Sequence, residues 1–225
     1  MKKLVNFFVA SCGATLLLLT SCSKTTDQSS VMVIHASPDA PNVDVLIDNA
    51  KVLTSVAYGT ASTYNTVEAG KRNFKVNATG QTTSVINSDQ TLEKDKSYSI
   101  FACGKLNAIT AVVAADDLTA PATGKAHVRF AHLSPDAPAV DVYVKGTTTK
   151  LFSNATFKSV SNFLPVAANT YELELKLTGG SNATVFTTPT IKLETGKIYT
   201  VYAKGLVAPG TPTAQALGYG LITNK

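Results

Sequence analysis

The sequence has no tryptophan, three cysteines and few charged residues, and each shortage excludes or disfavours a class of protein. Without tryptophan, the chain lacks the largest aromatic face on which a sugar stacks. Charged residues make up 16% of the chain and form no basic cluster, so the sequence excludes a nucleic-acid interface. It contains no Gly-x-Ser-x-Gly, His-Glu-x-x-His or Cys-x-x-Cys motif and no phosphate-binding glycine loop, which argues against the common hydrolases, zinc enzymes and nucleotide-binding enzymes.

The one long apolar run lies at the N-terminus. Two lysines follow Met1 and residues 4–19 are mostly apolar, a pattern typical of a secretory signal and too short for a membrane span. Leu19-Thr20-Ser21-Cys22 resembles a bacterial lipoprotein cleavage box, which implies cleavage after Ser21 and acylation of Cys22. Cys12 lies in a similar box behind a shorter apolar segment, and a plain secreted protein is the alternative. Because residue 23 is not acidic, we expect a lipid anchor in the bacterial outer membrane.

Export leaves a single thiol in the predicted mature protein. Cys12 leaves with the signal peptide and Cys22 carries lipid, so only Cys103 remains and no internal disulfide forms. The domains must therefore be stabilised by core packing, and we expect Cys103 to be a partly buried residue without a reactive role. Removal of Lys2 and Lys3 lowers the formal net charge from +5 to +3.

From Val31 onward, short alternating runs rich in Val, Ile, Thr, Tyr and Phe are separated by Gly, Pro, Asn and Asp. This pattern predicts an all-β chain without helices. The predicted strands of the first half lie near residues 31–36, 43–48, 51–57, 63–68, 71–78, 82–87, 97–103 and 108–115. A last strand is predicted near residues 214–222.

An eleven-residue motif occurs twice, which indicates a duplicated domain. His35-Ala36-Ser37-Pro38-Asp39-Ala40-Pro41-Asn42-Val43-Asp44-Val45 returns 97 residues later as His132-Leu133-Ser134-Pro135-Asp136-Ala137-Pro138-Ala139-Val140-Asp141-Val142. Its two prolines prevent central strand pairing, so the motif predicts a fixed bend between two strands. The predicted parts are a signal peptide at 1–21, a lipidated cysteine and tether at 22–30, a first sandwich at 31–117, a linker at 118–125 and a second sandwich at 126–225.

A second repeated segment predicts a fold staple. Leu92-Glu93-Lys94-Asp95-Lys96-Ser97-Tyr98 returns as Leu193-Glu194-Thr195-Gly196-Lys197-Ile198-Tyr199. A leucine, a tight turn and a tyrosine at the head of a strand resemble the tyrosine corner of immunoglobulin-like sandwiches, in which the phenol bonds to upstream backbone. In a nearby turn, we expect a positive φ at Gly70 and predict that Asn169 takes the same role in the second copy.

These motifs together resemble a bacterial family known as domain of unknown function 4397, which is common in cell-envelope lipoproteins. The resemblance covers both copies, and its most specific part is the Ser-Pro-Asp-Ala-Pro core of the bend. It implies two tandem immunoglobulin-like antiparallel β-sandwich domains after the lipoprotein signal peptide. It implies no activity.

The motif also carries the only candidate chemistry. His35, Asp39 and Asp44 recur as His132, Asp136 and Asp141, but their spacing matches no zinc or calcium loop, so we predict no metal ligands and no cofactor. Ser37 lies beside His35, yet residues this close on one strand and bend rarely converge on one substrate atom. We therefore predict no catalytic residues, and instead a semi-buried histidine hydrogen-bonded to the bend or to a neighbouring aspartate.

The function that remains is a non-catalytic binding, adhesion or scaffold module of the cell envelope. It would be attached to the membrane through Cys22 and face the periplasm or the cell surface. Its partner would be a protein or a glycan. One alternative is a glycan-binding accessory lipoprotein for nutrient uptake, and another is a hydrolase whose site arises only in three dimensions. A binding module predicts exposed aromatic side chains at a loop end or between the domains.

Overall fold

The computed structural model describes residues 26–180, 183–208 and 210–225. The predicted signal peptide, Cys12 and Cys22 lie outside the described residues. Within the described ranges the regular structure is β-strand, apart from two short 3₁₀ helices at Leu106–Ala108 and Thr213–Gln215. No helix in these ranges has the length and apolarity needed to cross a bilayer.

The first repeat folds into two four-stranded sheets, which confirms the predicted β-sandwich. Its strands are β1 (Gln28–Ala36), β2 (Val43–Ile47), β3 (Ala50–Val56), β4 (Asn65–Glu68), β5 (Gly70–Ala78), β6 (Ser84–Leu92), β7 (Ser97–Cys103) and β8 (Thr110–Asp116). The outer sheet has the order β3-β2-β5-β6 and the inner sheet has the order β4-β1-β7-β8. The eight predicted strands are confirmed. The inner sheet adds a parallel pair, β1 with β7, which the sequence did not reveal.

The second repeat has the same two sheets and one small additional sheet. Its strands are β9 (Lys125–His132), β10 (Val140–Val144), β11 (Lys150–Ala155), β12 (Leu164–Ala167), β13 (Asn169–Tyr171), β14 (Leu173–Leu177), β15 (Thr184–Thr187), β16 (Ile191–Leu193), β17 (Ile198–Lys204) and β18 (Gly218–Thr223). The outer sheet is β11-β10-β14-β15, the inner sheet is β12-β9-β17-β18, and β13 pairs with β16. Here too the first inner strand, β9, runs parallel to β17.

Each repeat has its own hydrophobic core between its two sheets. In the first repeat, Val33 and Ile100 of the inner sheet pack with Val45 and Phe74 of the outer sheet. The second core is built in the same way and is the larger of the two. Alternation along each strand therefore directs one set of apolar side chains into the sandwich.

A third core joins the two repeats, because the inner sheets also pack against each other. Ile34 and Phe101 from the first repeat form one buried cluster with Leu133 and Tyr202 from the second. This contact explains why β1, β7, β9 and β17 are buried almost continuously instead of at every second residue. The molecule is thus a stack of four sheets with three hydrophobic layers between them.

Polar contacts between the repeats fix how the inner sheets meet. Near one end of the stack, Arg129 forms an ion pair with Asp116, and both side chains are buried. Near the other end, the hydroxyl of Tyr202 donates to the carbonyl of Gly59 at 3.1 Å, and Lys204 Nζ lies 4.5 Å from the ring centroid of Tyr58.

Both repeated bends lie at the same end of the stack. Gly59 N donates to the carbonyl of His35 in the first bend. Tyr58, next to Gly59, contacts Lys204, and Lys204 directly precedes Gly205, whose carbonyl is bonded to Ser134 of the second bend. We call this end the motif end. Gln28, where β1 begins, lies at the opposite end, about 26 Å away for a nine-residue strand.

Candidate functional site

His35 is a fixed part of the first bend. Its Nε2 lies 3.0 Å from the carbonyl of Pro41 and must carry the proton, while Nδ1 accepts the backbone N–H of Ser37 at 3.3 Å. The imidazole is therefore neutral, and burial lowers its pKa. The predicted histidine bonded to the bend is confirmed, although the side chain is fully buried and not semi-buried.

His132 occupies the equivalent place in the second bend. Its Nε2 donates to the carbonyl of Pro138 at 3.1 Å, and burial lowers its pKa as well. Its Nδ1 is buried and has no hydrogen-bond partner in the described part of the chain. This atom is the one difference in polar contacts between the two histidines.

The serine of each motif connects the bend to the loop after the last parallel strand. Ser37 Oγ donates to the carbonyl of Gly104 at 2.6 Å, and Ser134 Oγ donates to the carbonyl of Gly205 at 2.7 Å. Both glycines have positive φ, and a Cβ at either position would lie under 3.0 Å from a backbone oxygen. The serines therefore stabilise two tight turns that require glycine.

The first aspartate of each motif binds the same loop, two or three residues after the glycine. Leu106 N donates to Asp39 Oδ1 at 2.7 Å. In the second repeat, Val207 N and Ala208 N donate to the two oxygens of Asp136 at 2.9 and 3.2 Å. Both carboxylates thus bind the backbone of a surface loop.

The second aspartate of the first motif stabilises a bulge in the next strand. Asp44 accepts Ser55 N at 2.9 Å, where the backbone has positive φ, and it also binds Lys51 and Thr79. These contacts lower the pKa of Asp44 to about 2, with the Lys51 hydrogen bond as the largest cause. Asp44 lies on the outer face of its sheet, but its side chain is covered by these partners.

Asp141 repeats this arrangement in the second copy. It accepts Asn154 N at 2.7 Å, again at a residue with positive φ, and it binds Lys150 and Thr178. Its pKa is also lowered, chiefly by the backbone hydrogen bond from Asn154.

The structure does not assemble the motif residues into a reactive site. The hydroxyl of Ser37 points to Gly104 and not to His35, and Asp44 binds the neighbouring strand instead of the imidazole. Across the described ranges, no three His, Cys, Asp or Glu side chains come together in a way that would hold a metal ion. The motif residues instead hold the loops of the motif end in place, and the surface of these loops is the candidate functional site.

The predicted tyrosine staples are present in both repeats. Glu93 N donates to the hydroxyl of Tyr98 at 3.0 Å, and Glu194 N donates to the hydroxyl of Tyr199 at 3.1 Å. Both tyrosines therefore serve the fold.

Gly70 and Asn169 differ in backbone conformation. Gly70 has the expected positive φ of 99°, but Asn169 does not share it, because in the second repeat this residue begins the short strand β13. Cys103 is fully buried, not partly, and burial raises the pKa of its thiol to about 12, which is consistent with an unreactive residue.

The surface of the motif end is unusual in what it exposes. Within the described residues every tyrosine and phenylalanine is buried or half-buried, so the exposed aromatic patch expected of a binding module is not found there. Instead, Leu106 and Val207 are 38% and 48% exposed. The sequence prediction missed both, although they share the 101-residue offset of Tyr98 and Tyr199.

Comparison with known families identifies the chain. Residues 29–143 and 134–219 match a family described as a domain of unknown function, DUF4397. The chain belongs to the DUF4397 family. This membership confirms the resemblance drawn from the repeated bends, and the family description carries no activity.

The chain was also compared with curated proteins and with solved structures. No curated protein matches the chain. A Bacteroides eggerthii structure provisionally described as a cell adhesion protein is 10% identical, with 88% of this chain and 96% of that chain covered and a TM-score of 0.27. A family 26 carbohydrate-binding module from Eubacterium rectale, solved with maltoheptaose, is 11% identical over 83% of this chain and 99% of that chain, also with a TM-score of 0.27. Scores this low carry no argument about function.

Proposed function

We propose that this DUF4397 protein is a lipid-anchored, non-catalytic binding module of the bacterial outer membrane that presents its motif end away from the bilayer. The observation that carries the proposal is the course of β1. This strand begins at Gln28 near the proposed anchor and ends at Ala36, directly before the first bend.

The short tether supports this orientation. Five residues separate Cys22 from Gln28, so the six residue steps between them span no more than about 22 Å when fully extended. An acylated Cys22 would therefore keep the opposite end of the stack close to the membrane. The motif end would lie at the far side of the molecule.

The use of the motif residues supports a binding role over a catalytic one. The polar groups of the bends are occupied by backbone: His35 by the first bend, Ser37 by Gly104 and Asp39 by Leu106. These hydrogen bonds hold the loops of the motif end in a fixed arrangement. Binding residues are often found on loops that a rigid scaffold positions. In the first bend, the side chains of His35, Ser37 and Asp39 are therefore held by backbone contacts instead of being free to act as a base or a nucleophile.

The anchor is tested by the mass of the mature N-terminal residue and by membrane fractionation. We expect Cys22 to carry acyl chains and the protein to be found with outer membranes. Cys22→Ala should abolish both, whereas Cys12→Ala should change neither. An unmodified Cys22 in a secreted mature protein would contradict the proposal.

The orientation is tested by labelling introduced cysteines on the full-length protein in lipid vesicles. Asn107→Cys places an exposed thiol at the motif end, and Lys94→Cys places one at the opposite end. A bulky maleimide should label Asn107→Cys faster in vesicles, and the two rates should become similar in detergent. Faster labelling of Lys94→Cys in vesicles would contradict the proposed orientation.

A further inference from the structure

Strand β8 is a free edge of the inner sheet in the first repeat. It pairs with β7 over all seven residues without a register shift, and no other strand in the described part of the chain pairs with it. Residues 110–115 are each at least partly exposed to solvent. The strand begins just after the 3₁₀ helix that carries Leu106, so its edge runs from the motif end toward the opposite end of the stack.

The backbone of β8 directs unpaired polar groups out of this edge. Ser30 N of β1 donates to the carbonyl of Lys96 at 2.9 Å, so every second residue of β7, counted from Lys96, directs its backbone groups to β1. The β8 residues opposite these positions are Ala111, Val113 and Ala115. Their N–H and C=O groups therefore point away from β7, and the Ala115 carbonyl lies 3.5 Å from Arg129 Nη1.

The other edge strands have features that disfavour pairing with a further strand. Strands β3 and β11 each have register shifts, a lysine and a residue with positive φ. Strands β4, β12 and β15 have four residues each, β6 carries Asp89 and a register shift, and β18 has glycine at two of its six positions. In contrast, residues 110–115 of β8 include no charge, proline or glycine.

A strand added at this edge would extend two hydrophobic cores at once. The side chains of Ala111 and Val113 pack against the core of the first repeat, while Val112 and Ala114 pack against the core between the repeats. Because β8 is the last strand of its sheet, a neighbouring strand would cover the open side of both cores. A cleft of about 740 Å³, lined in part by Ala115, leaves room at the C-terminal end of β8.

We propose that the β8 edge binds an extended, uncharged strand of a partner protein by β-strand addition. A row of outward N–H and C=O groups is complemented by another extended backbone. Apolar layers on both faces of β8 select a partner strand with small apolar side chains on both of its own faces, since a charge there would lie beside a core. This inference names the partner of the proposed binding module and so rests on that function, but it does not depend on the lipid anchor.

The test uses the full-length protein and a fluorescent synthetic peptide of about eight residues, built from valine, alanine and threonine with a lysine at each end. Fluorescence anisotropy measures binding, and amide hydrogen exchange locates it. Bound peptide should slow exchange in residues 110–116 by about tenfold or more, because the outward N–H groups become hydrogen-bonded. Exchange in residues 50–56 of β3 should not change.

A pair of matched variants tests the role of the outward backbone groups. Ala111→Pro with Ala115→Pro removes two outward N–H donors and keeps the hydrogen bonds to β7, so peptide binding should weaken by about tenfold or more. Ala111→Ser with Ala115→Ser keeps both donors and should bind as the wild type does. Circular dichroism checks that both variants are folded. Independently of folding, the same peptide with N-methyl groups in place of its backbone N–H donors should not bind the wild-type protein.

Each outcome supports or overturns the β8 edge as a binding site. Lipid-bearing protein that fails to bind the peptide would overturn the inference and leave the proposed anchor and orientation standing. Equal binding of the N-methylated peptide, or protection outside residues 110–116 alone, would also overturn it. A dimer in which these amides are protected before peptide is added would show that a second copy occupies the edge instead. A Cys22 without lipid would contradict the proposed anchor and not the edge.

Discussion

Arg129 Nη1 lies 2.7 Å from Asp116 Oδ1 between the two inner sheets, where the side chains are 1% and 0% exposed. Arg129 also donates to Ser99 and Thr200, and Asp116 accepts the hydroxyls of Ser99 and Tyr64. The ion pair thus joins strands of both repeats through a hydrogen-bonded network. Loss of one partner of a buried pair leaves an uncompensated charge in the interior, which is strongly destabilising.

The equivalent positions in the other repeat carry no charge. Met32 stands at the place of Arg129, and Asn224 stands at the place of Asp116, with Thr200 bonded to it as Ser99 is bonded to Asp116. The two repeats therefore differ at this contact: the Arg129–Asp116 pair is charged, and the equivalent Met32 and Asn224 are not. Met and Asn are accordingly the substitutions that test the role of the charge.

Arg129→Met should destabilise the protein strongly, whereas Arg129→Met combined with Asp116→Asn should not. The single variant leaves Asp116 buried without its cation, which costs about 3–5 kcal/mol of unfolding free energy. The double variant removes the charge and reproduces the Met32 and Asn224 side chains, so most of that loss should be recovered. Urea unfolding at pH 7 measures the free energy of unfolding of both variants. Equal loss in the two variants would show that the network matters for its shape and not for charge.

Ser37→Ala should lower stability by about 1–3 kcal/mol, because it leaves the buried carbonyl of Gly104 without its hydrogen bond. Ser134→Ala should have a similar effect through Gly205. Ser153→Ala, at an exposed position of β11, serves as the control and should change the urea midpoint little. Were Ser37→Ala as stable as this control, the bend would not depend on the serine.

The two motif histidines should make the protein less stable below neutral pH. Burial lowers the pKa of His35 and of His132 below the ordinary value of 6.5, so the unfolded chain takes up protons first. The free energy of unfolding should therefore fall as the pH decreases below about 6.5, by up to about 1.4 kcal/mol per pH unit for each histidine, until the folded pKa is reached. Asp44, with a pKa of about 2, loses its contribution only below its ordinary value of 3.8, outside this window.

Urea unfolding between pH 7 and pH 5 checks this expectation. His35→Gln with His132→Gln keeps a side-chain N–H for each proline carbonyl and should remove most of the slope. His127→Gln should retain it, since His127 lies outside both bends. A wild-type protein whose stability is constant across this range would contradict the assignment of buried neutral histidines.

Much of the fold could be predicted from local pattern. The strand positions, the two bends and the tyrosine staples each depend on residues close in sequence, such as Pro38 and Pro41 or Leu92 and Tyr98. Turn chemistry and alternation are visible in a single chain, and a duplication shows every such signal twice.

The contact between repeats could not be predicted in this way. Val31 and Val33 face the core of their own repeat, but the second-repeat residues that cover Met32 and Ile34 on the other face of β1 come from about 100 positions or more away. The partner of Arg129 is Asp116, which lies near the end of the predicted first domain, so no residue close to Arg129 in the sequence indicates the ion pair. A buried charge gives no sequence signal until its partner is located.

The candidate surface was missed for a related reason. Leu106 and Val207 follow turns whose geometry depends on Ser37 and Ser134, many residues earlier in the chain. An aliphatic residue in a polar loop has no distinctive pattern by itself. Only the three-dimensional structure shows that both lie at one end of the molecule.

The two repeats form one body, in which three hydrophobic cores lie between four sheets. Differential scanning calorimetry of the full chain tests this most directly, by comparing the calorimetric enthalpy with the van't Hoff enthalpy. A single transition with a ratio close to one is predicted, because neither inner sheet keeps both faces covered when the other unfolds. Two separate transitions, each with the enthalpy of one repeat, would contradict the account.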